Sequence, residues 1–245
     1  MKMVFIKNGL IALAIVVAAW VLGEAWMYKY RCEDKVVVTG LGEQEFTSDL
    51  IVWDGCIAVE SGDRANGYAQ IERDKSRVLR YLKDKGVDES QVRFNFVDVT
   101  KVYNSMYSGE GKYMGERWTG VYRLTQRFEV ESGDVEKVEK VSREISSLIA
   151  EGLDIDVYSP SYYCTKLDEV KQELIKRASA DARERAENIA RNAGARLGKV
   201  MSARLGVFQI TGVNSDEDYA YGGTFNTSSR EKVGRITVRV EYRVK

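Results

Sequence analysis

The chain has 245 residues, and its 37 lysines and arginines balance 37 aspartates and glutamates, so the formal net charge is zero. A neutral chain has no overall attraction for nucleic acid or for an anionic membrane surface, and the sequence predicts no nucleic-acid partner. The chain contains no histidine, which excludes Ser-His-Asp triads, Cys-His nucleophiles and histidine-ligated zinc.

The first element in chain order is an uninterrupted apolar run over residues 10–22, which follows two lysines. One interpretation is an uncleaved signal anchor, and the other is a signal peptide cleaved near Gly23. Trp20, Trp26 and Tyr28 favour the anchor, because aromatic residues are enriched at membrane interfaces. An anchor would hold the protein in the inner membrane with its main domain in the periplasm, whereas cleavage would release that domain into the periplasm. The residues predicted to form the membrane segment are Leu10, Ile11, Leu13, Ile15, Val16, Val17, Trp20, Val21 and Leu22.

Residues 35–245 are predicted to form a single α+β domain, after a segment of residues 1–34 that contains the apolar run. Between residues 49 and 163 the hydrophobic patterns predict the order strand, helix, strand, strand, helix, strand. This is the βαββαβ succession of ferredoxin-like folds, in which two helices cover one face of an antiparallel sheet. A change of apolar phase between Phe96 and Val97 predicts a β-bulge in the second strand.

The second half of the domain is predicted to extend this core by a long helix and additional antiparallel strands. The helix covers residues 166–193, and its alanines at four-residue spacing allow it to approach a partner closely. A strand of mixed phase follows over residues 197–210, and a polar loop over residues 211–229. The last strand, residues 234–245, alternates between apolar and mostly charged residues, which predicts one buried face.

The sequence offers no convincing catalytic, cofactor or metal site. Cys56 lies among apolar strand residues and is predicted to be buried, with a Cys56–Cys164 disulfide as the alternative. Gly40-Leu41-Gly42 is an incomplete dinucleotide fingerprint, because neither a third glycine nor a helix follows it. We interpret these glycines as a kink or bulge between paired strands and predict no cofactor.

Two glycine-containing loops carry methionine and aromatic side chains of the kind that protein interfaces favour. They cover residues 104–117 and 211–229, and the alternative interpretation is that both are ordinary solvated connections. The sequence does not identify a small-molecule ligand for either loop. The candidate interaction residues are Met106, Tyr107, Tyr113, Met114, Tyr219, Tyr221 and Phe225.

Three stretches of the chain resemble the SIMPL-domain family, also called domain of unknown function 541. They are residues 37–43 (VVTGLGE) with 48–53 (SDLIVW), residues 178–187 (ASADARERAE) with 194–200 (GARLGKV), and Tyr221-Gly222-Gly223. The resemblance covers about residues 35–245. It implies a bacterial cell-envelope protein of a family that is associated with stress tolerance and has no established catalytic residues. Some family members assemble into ring-like or channel-like homo-oligomers.

Taken with the residue patterns, this resemblance predicts a non-enzymatic envelope protein that self-assembles into a homo-oligomer and contacts the membrane through its N-terminal segment. One alternative is a periplasmic ligand-binding or sensor module that uses the aromatic loops. Another is an enzyme of unrecognised type, which would need carboxylates that converge in a closed apolar pocket.

Overall fold

The computed structural model describes residues 2–31 and 35–245, with side chains for residues 13–28 and 35–245. These residues confirm the predicted α+β class. The helices are α1 (Lys2–Arg31), α2 (Arg64–Asp84), α3 (Val135–Glu144), α4 (Ser147–Ala150) and α5 (Leu167–Asn192). The strands are β1 (Lys35–Thr47), β2 (Leu50–Ser61), β3 (Val92–Tyr107), β4 (Tyr113–Ser132), β5 (Ile155–Val157), β6 (Ser161–Tyr163), β7 (Leu197–Leu205), β8 (Gln209–Gly212), β9 (Thr224–Phe225) and β10 (Glu231–Val244).

Helix α1 exposes every described side chain, from Leu13 to Tyr28. Within the described part of the chain, no helix combines the length and apolar character that crossing a membrane requires. The predicted membrane-spanning segment is therefore not supported. Leu13, Ile15, Val16, Val17, Trp20, Val21 and Leu22 are exposed, whereas Leu10 and Ile11 lie outside the described side chains.

The first sheet is built around β10, whose predicted alternation of buried and outward residues is confirmed from Ile236 to Tyr242. Strand β1 pairs with β10 along its whole length, from Lys35 opposite Arg243 to Thr47 opposite Glu231. Strands β7 and β8 pair in succession with the other side of β10. The prediction of one strand over residues 197–210 is wrong at residues 206–208, because these three residues lie opposite only two residues of β10, Ile236 and Thr237, and the extra residue interrupts the regular ladder.

Helix α5 covers the first sheet through the predicted row of small residues, including the fully buried Ala178, Ala182 and Ala186. Near its C-terminal end the buried residue is Ala190, whereas the larger Ile189 is 48% exposed. The reason is that the four-residue spacing continues from Ala186 to Ala190, which keeps a small residue against the sheet.

Gly40 and Gly42 allow α5 to lie directly on β1. A Cβ at Gly40 would lie 2.1 Å from the carbonyl oxygen of Ala178 and 2.7 Å from the Cβ of Ala182. A Cβ at Gly42 would lie 2.1 Å from the carbonyl oxygen of Leu174. The interpretation of these glycines as a kink or bulge is therefore wrong, since β1 pairs without interruption and both face the helix.

The second sheet has the strand order β3-β4-β2-β5, with β6 also paired to β2, and every pair is antiparallel. With α2 between β2 and β3, and α3 between β4 and β5, it contains the predicted βαββαβ succession. Both helices pack on one face and enclose a core around Trp53, Phe128 and Ile71. The Trp53 and Phe128 rings meet edge to face, with centroids 5.6 Å apart.

The predicted bulge in β3 is confirmed close to its predicted position. Phe94 lies opposite Phe128 and Val97 opposite Gln126, so Asn95 and Phe96 together oppose Arg127. The bulge turns Phe96 outward, where it is 82% exposed.

Side-chain contacts join the two sheets where β1 leads into β2. The carboxylate of Asp49 accepts hydrogen bonds from the backbone N–H and hydroxyl of Thr165, at 2.7 Å and 2.6 Å. Arg230 forms a 3.0 Å ion pair with Glu136 on α3. These contacts connect β2 and α3 of the second sheet with the segments that flank α5 and β10.

Candidate functional site

The described chain has a hairpin arm formed by the outer parts of β3 and β4. Strand β2 ends at Ser61, opposite Tyr122, so residues 103–107 and 113–118 pair only with each other. The connecting turn is closed by a 2.8 Å hydrogen bond from the backbone N–H of Ser108 to the carbonyl of Lys112. The prediction of a loop over residues 104–117 is therefore wrong for all but the five residues of this turn.

One face of the hairpin arm carries a ladder of aromatic rings. Tyr107 lies opposite Tyr113 with ring centroids 5.9 Å apart, and Tyr103 lies opposite Trp118. Trp118 contacts Tyr122 at a centroid distance of 5.6 Å. Because Tyr122 packs against the core of the second sheet, the ladder continues the core-facing side of that sheet beyond its helices.

All four candidate residues of this region lie near the end of the arm. Tyr107 is 64% exposed and Met114 is 66% exposed, and Met106 and Tyr113 are also exposed. Met106 belongs to the face opposite the ladder, since side chains alternate along β3. The four residues lie close together, but on two paired strands rather than on a loop. Sequence reasoning missed Tyr103 and Trp118 as members of it, although both aromatic residues flank the predicted loop.

The second candidate region is a tyrosine groove on the outer face of the first sheet. The segment between β8 and β10 folds over this face and leaves a groove of about 480 Å³. Of the three candidate residues of this loop, Tyr219 and Tyr221 line the groove, whereas Phe225 belongs to β9 and pairs with Ile210 outside it. The residues that line the groove are Leu41, Val207, Gln209, Tyr219, Ala220, Tyr221, Arg235, Ile236 and Thr237.

An ion pair between Arg235 and Glu43 lies beside this groove. The guanidinium of Arg235 donates two hydrogen bonds to Glu43, at 2.8 Å and 3.1 Å, and lies 5.9 Å from the ring centre of Tyr219. The hydrogen bond from Arg235 lowers the pKa of Glu43, and the same bond raises the pKa of Arg235. Glu43 is therefore ionised at neutral pH and does not store a proton for acid catalysis.

The loop above the groove is held by Glu217. Its carboxylate accepts hydrogen bonds from the Asn226 amide at 2.6 Å, the Gly212 backbone N–H at 3.1 Å and the Ser215 hydroxyl at 3.2 Å. The bond from Asn226 is the main reason that the pKa of Glu217 is lowered. Below it, the buried Lys232 ammonium donates to the Ser229 carbonyl, and burial lowers the Lys232 pKa.

A further cavity of about 550 Å³ lies on the second sheet, lined in part by Cys56, Phe96, Arg127 and Tyr158. Burial raises the pKa of the Cys56 thiol, so little reactive thiolate forms at neutral pH. Cys56 is buried, as predicted, and both Cys56 and Cys164 are free rather than paired in a disulfide. Cys32 lies outside the described residues.

Metal-binding side chains do not converge in the described ranges 2–31 and 35–245, where no group of three or more cysteines or carboxylates could hold an ion. The structure places the two candidate regions on different sheets, the hairpin arm on the second and the tyrosine groove on the first. The two candidate surfaces are therefore separate.

Comparison with known proteins gives one positive result. No curated protein matches the chain. A family model described as SIMPL, protein of unknown function (DUF541), matches residues 36–245, which include both candidate regions and each of the strands β2 to β10. The chain therefore belongs to the SIMPL family.

Proposed function

We propose that this chain is a non-enzymatic protein of the bacterial cell envelope whose domain self-assembles into a homo-oligomer, with a role in envelope or stress tolerance. The observation that carries the proposal is the aromatic ladder of the hairpin arm, which extends beyond the helices that cover the rest of its sheet face. A two-stranded hairpin is at best marginally stable alone in water. A partner that covers the ladder would stabilise the arm and bury aromatic side chains, which supply much of the binding energy at protein interfaces.

The free edge of β7 is the surface that we propose the arm contacts in a second copy. Strand β7 pairs on one side with β10 and exposes Val200, Met201 and Leu205. A long exposed edge with apolar side chains favours pairing with another chain. Because the arm and β7 are different surfaces, their contact is head-to-tail, and repetition of it closes into a ring when the rotation between copies allows.

Membrane attachment is the second part of the proposal. The exposed apolar side chains of α1 would be covered by lipid, which places the main domain at the extracytoplasmic face of the inner membrane. Release into the periplasm after cleavage of the N-terminal segment is the alternative location.

Light scattering coupled to size-exclusion chromatography of the full chain in detergent tests the assembly. We expect the wild-type protein to be an oligomer at micromolar concentration and the Tyr107→Ser, Tyr113→Ser double variant to be smaller. Tyr68→Ser with Tyr158→Ser is the matched control, because both tyrosines are exposed outside the arm and β7. A monomeric wild-type protein would overturn the proposal, as would equal effects of the two double variants.

The tyrosine groove favours a second candidate function, a periplasmic ligand-binding or sensor module. Its volume of about 480 Å³ lies in the range of small-molecule sites, and its apolar and aromatic lining carries a few polar groups. A thermal-shift screen would support this function if one ligand class raised the melting temperature by several degrees in the wild type and not in Tyr219→Ala.

A further inference from the structure

Basic side chains gather at the end of the first sheet where the chain enters from α1. Lys35 opens β1 and lies opposite Arg243 on β10. Beyond this pair, the backbones of Arg196 and Lys245 exchange two hydrogen bonds of 2.8 Å, and Lys199 follows on β7. We call these five residues the basic end.

The basic end brings five positively charged side chains together although the whole chain is neutral, and Glu33 and Asp34 directly precede Lys35 in the sequence. Lys35 pairs with Glu241 at 3.3 Å. The side chains of Arg196, Lys199 and Lys245 are exposed, and among the residues that the structure describes none has a carboxylate within 4.0 Å. Their charge is thus available to an external anionic surface.

The short connection to α1 keeps the start of the basic end close to this helix, and therefore close to a membrane that covers it. It ends at Arg31, and only three residues separate it from Lys35. Four residue steps of extended chain reach at most about 14 Å. Lys35, the first residue of the basic end, therefore stays within about 14 Å of the end of α1, whose described side chains are exposed and almost entirely apolar.

We propose that the basic end binds the headgroups of anionic phospholipids and holds the domain against the membrane in one orientation. The proposal rests on the membrane attachment of α1 proposed above. We infer a lipid surface as the ligand, because the basic residues lie on neighbouring strands at the outer end of a sheet. An exposed apolar helix, which lipid would cover, lies next to them. Each basic residue near an anionic bilayer contributes about a fivefold gain in binding, so three together contribute on the order of a hundredfold.

Flotation of the full-length protein with vesicles tests this proposal. The protein, exchanged from detergent, is mixed with vesicles of phosphatidylcholine alone or of phosphatidylcholine with 30% phosphatidylglycerol, in low and in high salt. We expect the anionic vesicles to bind the wild type at least tenfold more strongly in low salt, with most of this preference lost in high salt. The variant Arg196→Gln, Lys199→Gln, Lys245→Gln should bind both vesicles about equally.

The matched control is Arg80→Gln, Lys83→Gln, Lys140→Gln, which removes three exposed basic residues outside the basic end and the hairpin arm and should keep the wild-type preference. Equal binding of the wild type to both vesicles would overturn the inference and leave the attachment through α1 intact. Absence of flotation with either vesicle would overturn both. Loss of the preference on addition of glycerol phosphate at constant ionic strength would also overturn it, because it would assign the site to a free phosphate.

Discussion

Asp181 on α5 accepts a hydrogen bond from the backbone N–H of Leu41 on β1, with 2.8 Å between oxygen and nitrogen. About one helical turn before Asp181, Arg177 donates to the Glu43 carbonyl at 3.1 Å. Both β1 groups lie at the edge that no strand covers. Helix α5 thus blocks the middle of this edge with charged side chains, whereas the nine-residue β7 is a longer open edge of the described sheet than the two-residue β9.

Removal of the Asp181 carboxylate should open the blocked edge. We expect Asp181→Ala to lower the free energy of unfolding by about 1 kcal/mol, because the Leu41 N–H loses its charged acceptor. It should also raise the tendency to form irregular aggregates through β1, measured by sedimentation velocity. Glu184→Ala removes an exposed carboxylate from the same helix and should change neither quantity.

Stability should be lost in acid and stay nearly constant around neutrality. Hydrogen bonds from Arg185 and then Leu41 lower the pKa of Asp181, as the bonds from Arg235 and Asn226 lower those of Glu43 and Glu217. The unfolded chain therefore takes up these protons first, and stability is complete above about pH 5 and falls as the pH drops through the lowered folded-state pKa values.

Denaturant unfolding at pH 3 to 8 measures this dependence. Because the chain has no histidine, we expect little change between pH 6 and 8. Asp181→Ala should flatten the acid part of the curve, and a steep change near pH 6.5 would contradict the assignment.

Substitution of Gly40 should be strongly destabilising. The added methyl group of Gly40→Ala would collide with the α5 backbone, so we expect a loss of about 3 kcal/mol or failure to fold. Gly109→Ala is the matched control, since its Cβ would have open space and its backbone needs no positive φ. Thermal unfolding compares the two, and similar melting temperatures would show that α5 does not rest on Gly40.

The loop over the tyrosine groove should depend on Glu217. Glu217→Ala leaves the Asn226 amide and the Gly212 N–H without their acceptor, so amide hydrogen exchange over residues 213–230 should speed up at least tenfold. The neighbouring Asp216→Ala serves as control, because Asp216 is exposed and forms no hydrogen bond or ion pair in the described chain. Equal exchange in both variants would refute the role of Glu217.

The thiols of the buried Cys56 and the half-buried Cys164 should react slowly. Burial raises the pKa of both Cys56 and Cys164, so in a Cys32→Ser background we expect a thiol reagent at pH 8 to modify them far more slowly in the native than in the denatured protein. Two thiols should be counted after denaturation without reductant. A count of zero would indicate the disulfide that the structure lacks.

The sequence predicts those parts of the fold in which burial differs between two faces. The alternation from Ile236 to Tyr242 and the alanine spacing of α5 follow directly from one-sided burial. The hairpin arm was not predicted because both of its faces are exposed, so residues such as Ser105 and Met106 show no alternation of polarity. The sequence predicted the first strand of the arm only up to Tyr103 and the second strand only from Trp118 onward.

The tyrosine groove could be predicted only in part. Tyr219 and Tyr221 were found from loop composition, but Leu41 and Arg235 reach the groove through the pairing of β1 with β10, which joins residues almost 200 positions apart. The role of Gly40 was missed for the same reason, since Ala178 and Ala182 are distant in the sequence.

The continuous pairing of β1 with β10 has a mechanical consequence. If α1 is pulled away from the domain along the strand direction, the load enters β1 at Lys35 and acts along the ladder rather than across it. All thirteen residue pairs between Lys35 and Thr47 then resist sliding together, instead of separating one after another. The domain should therefore require a higher unfolding force, applied through its N-terminal helix, than it would if the residue pairs separated one at a time.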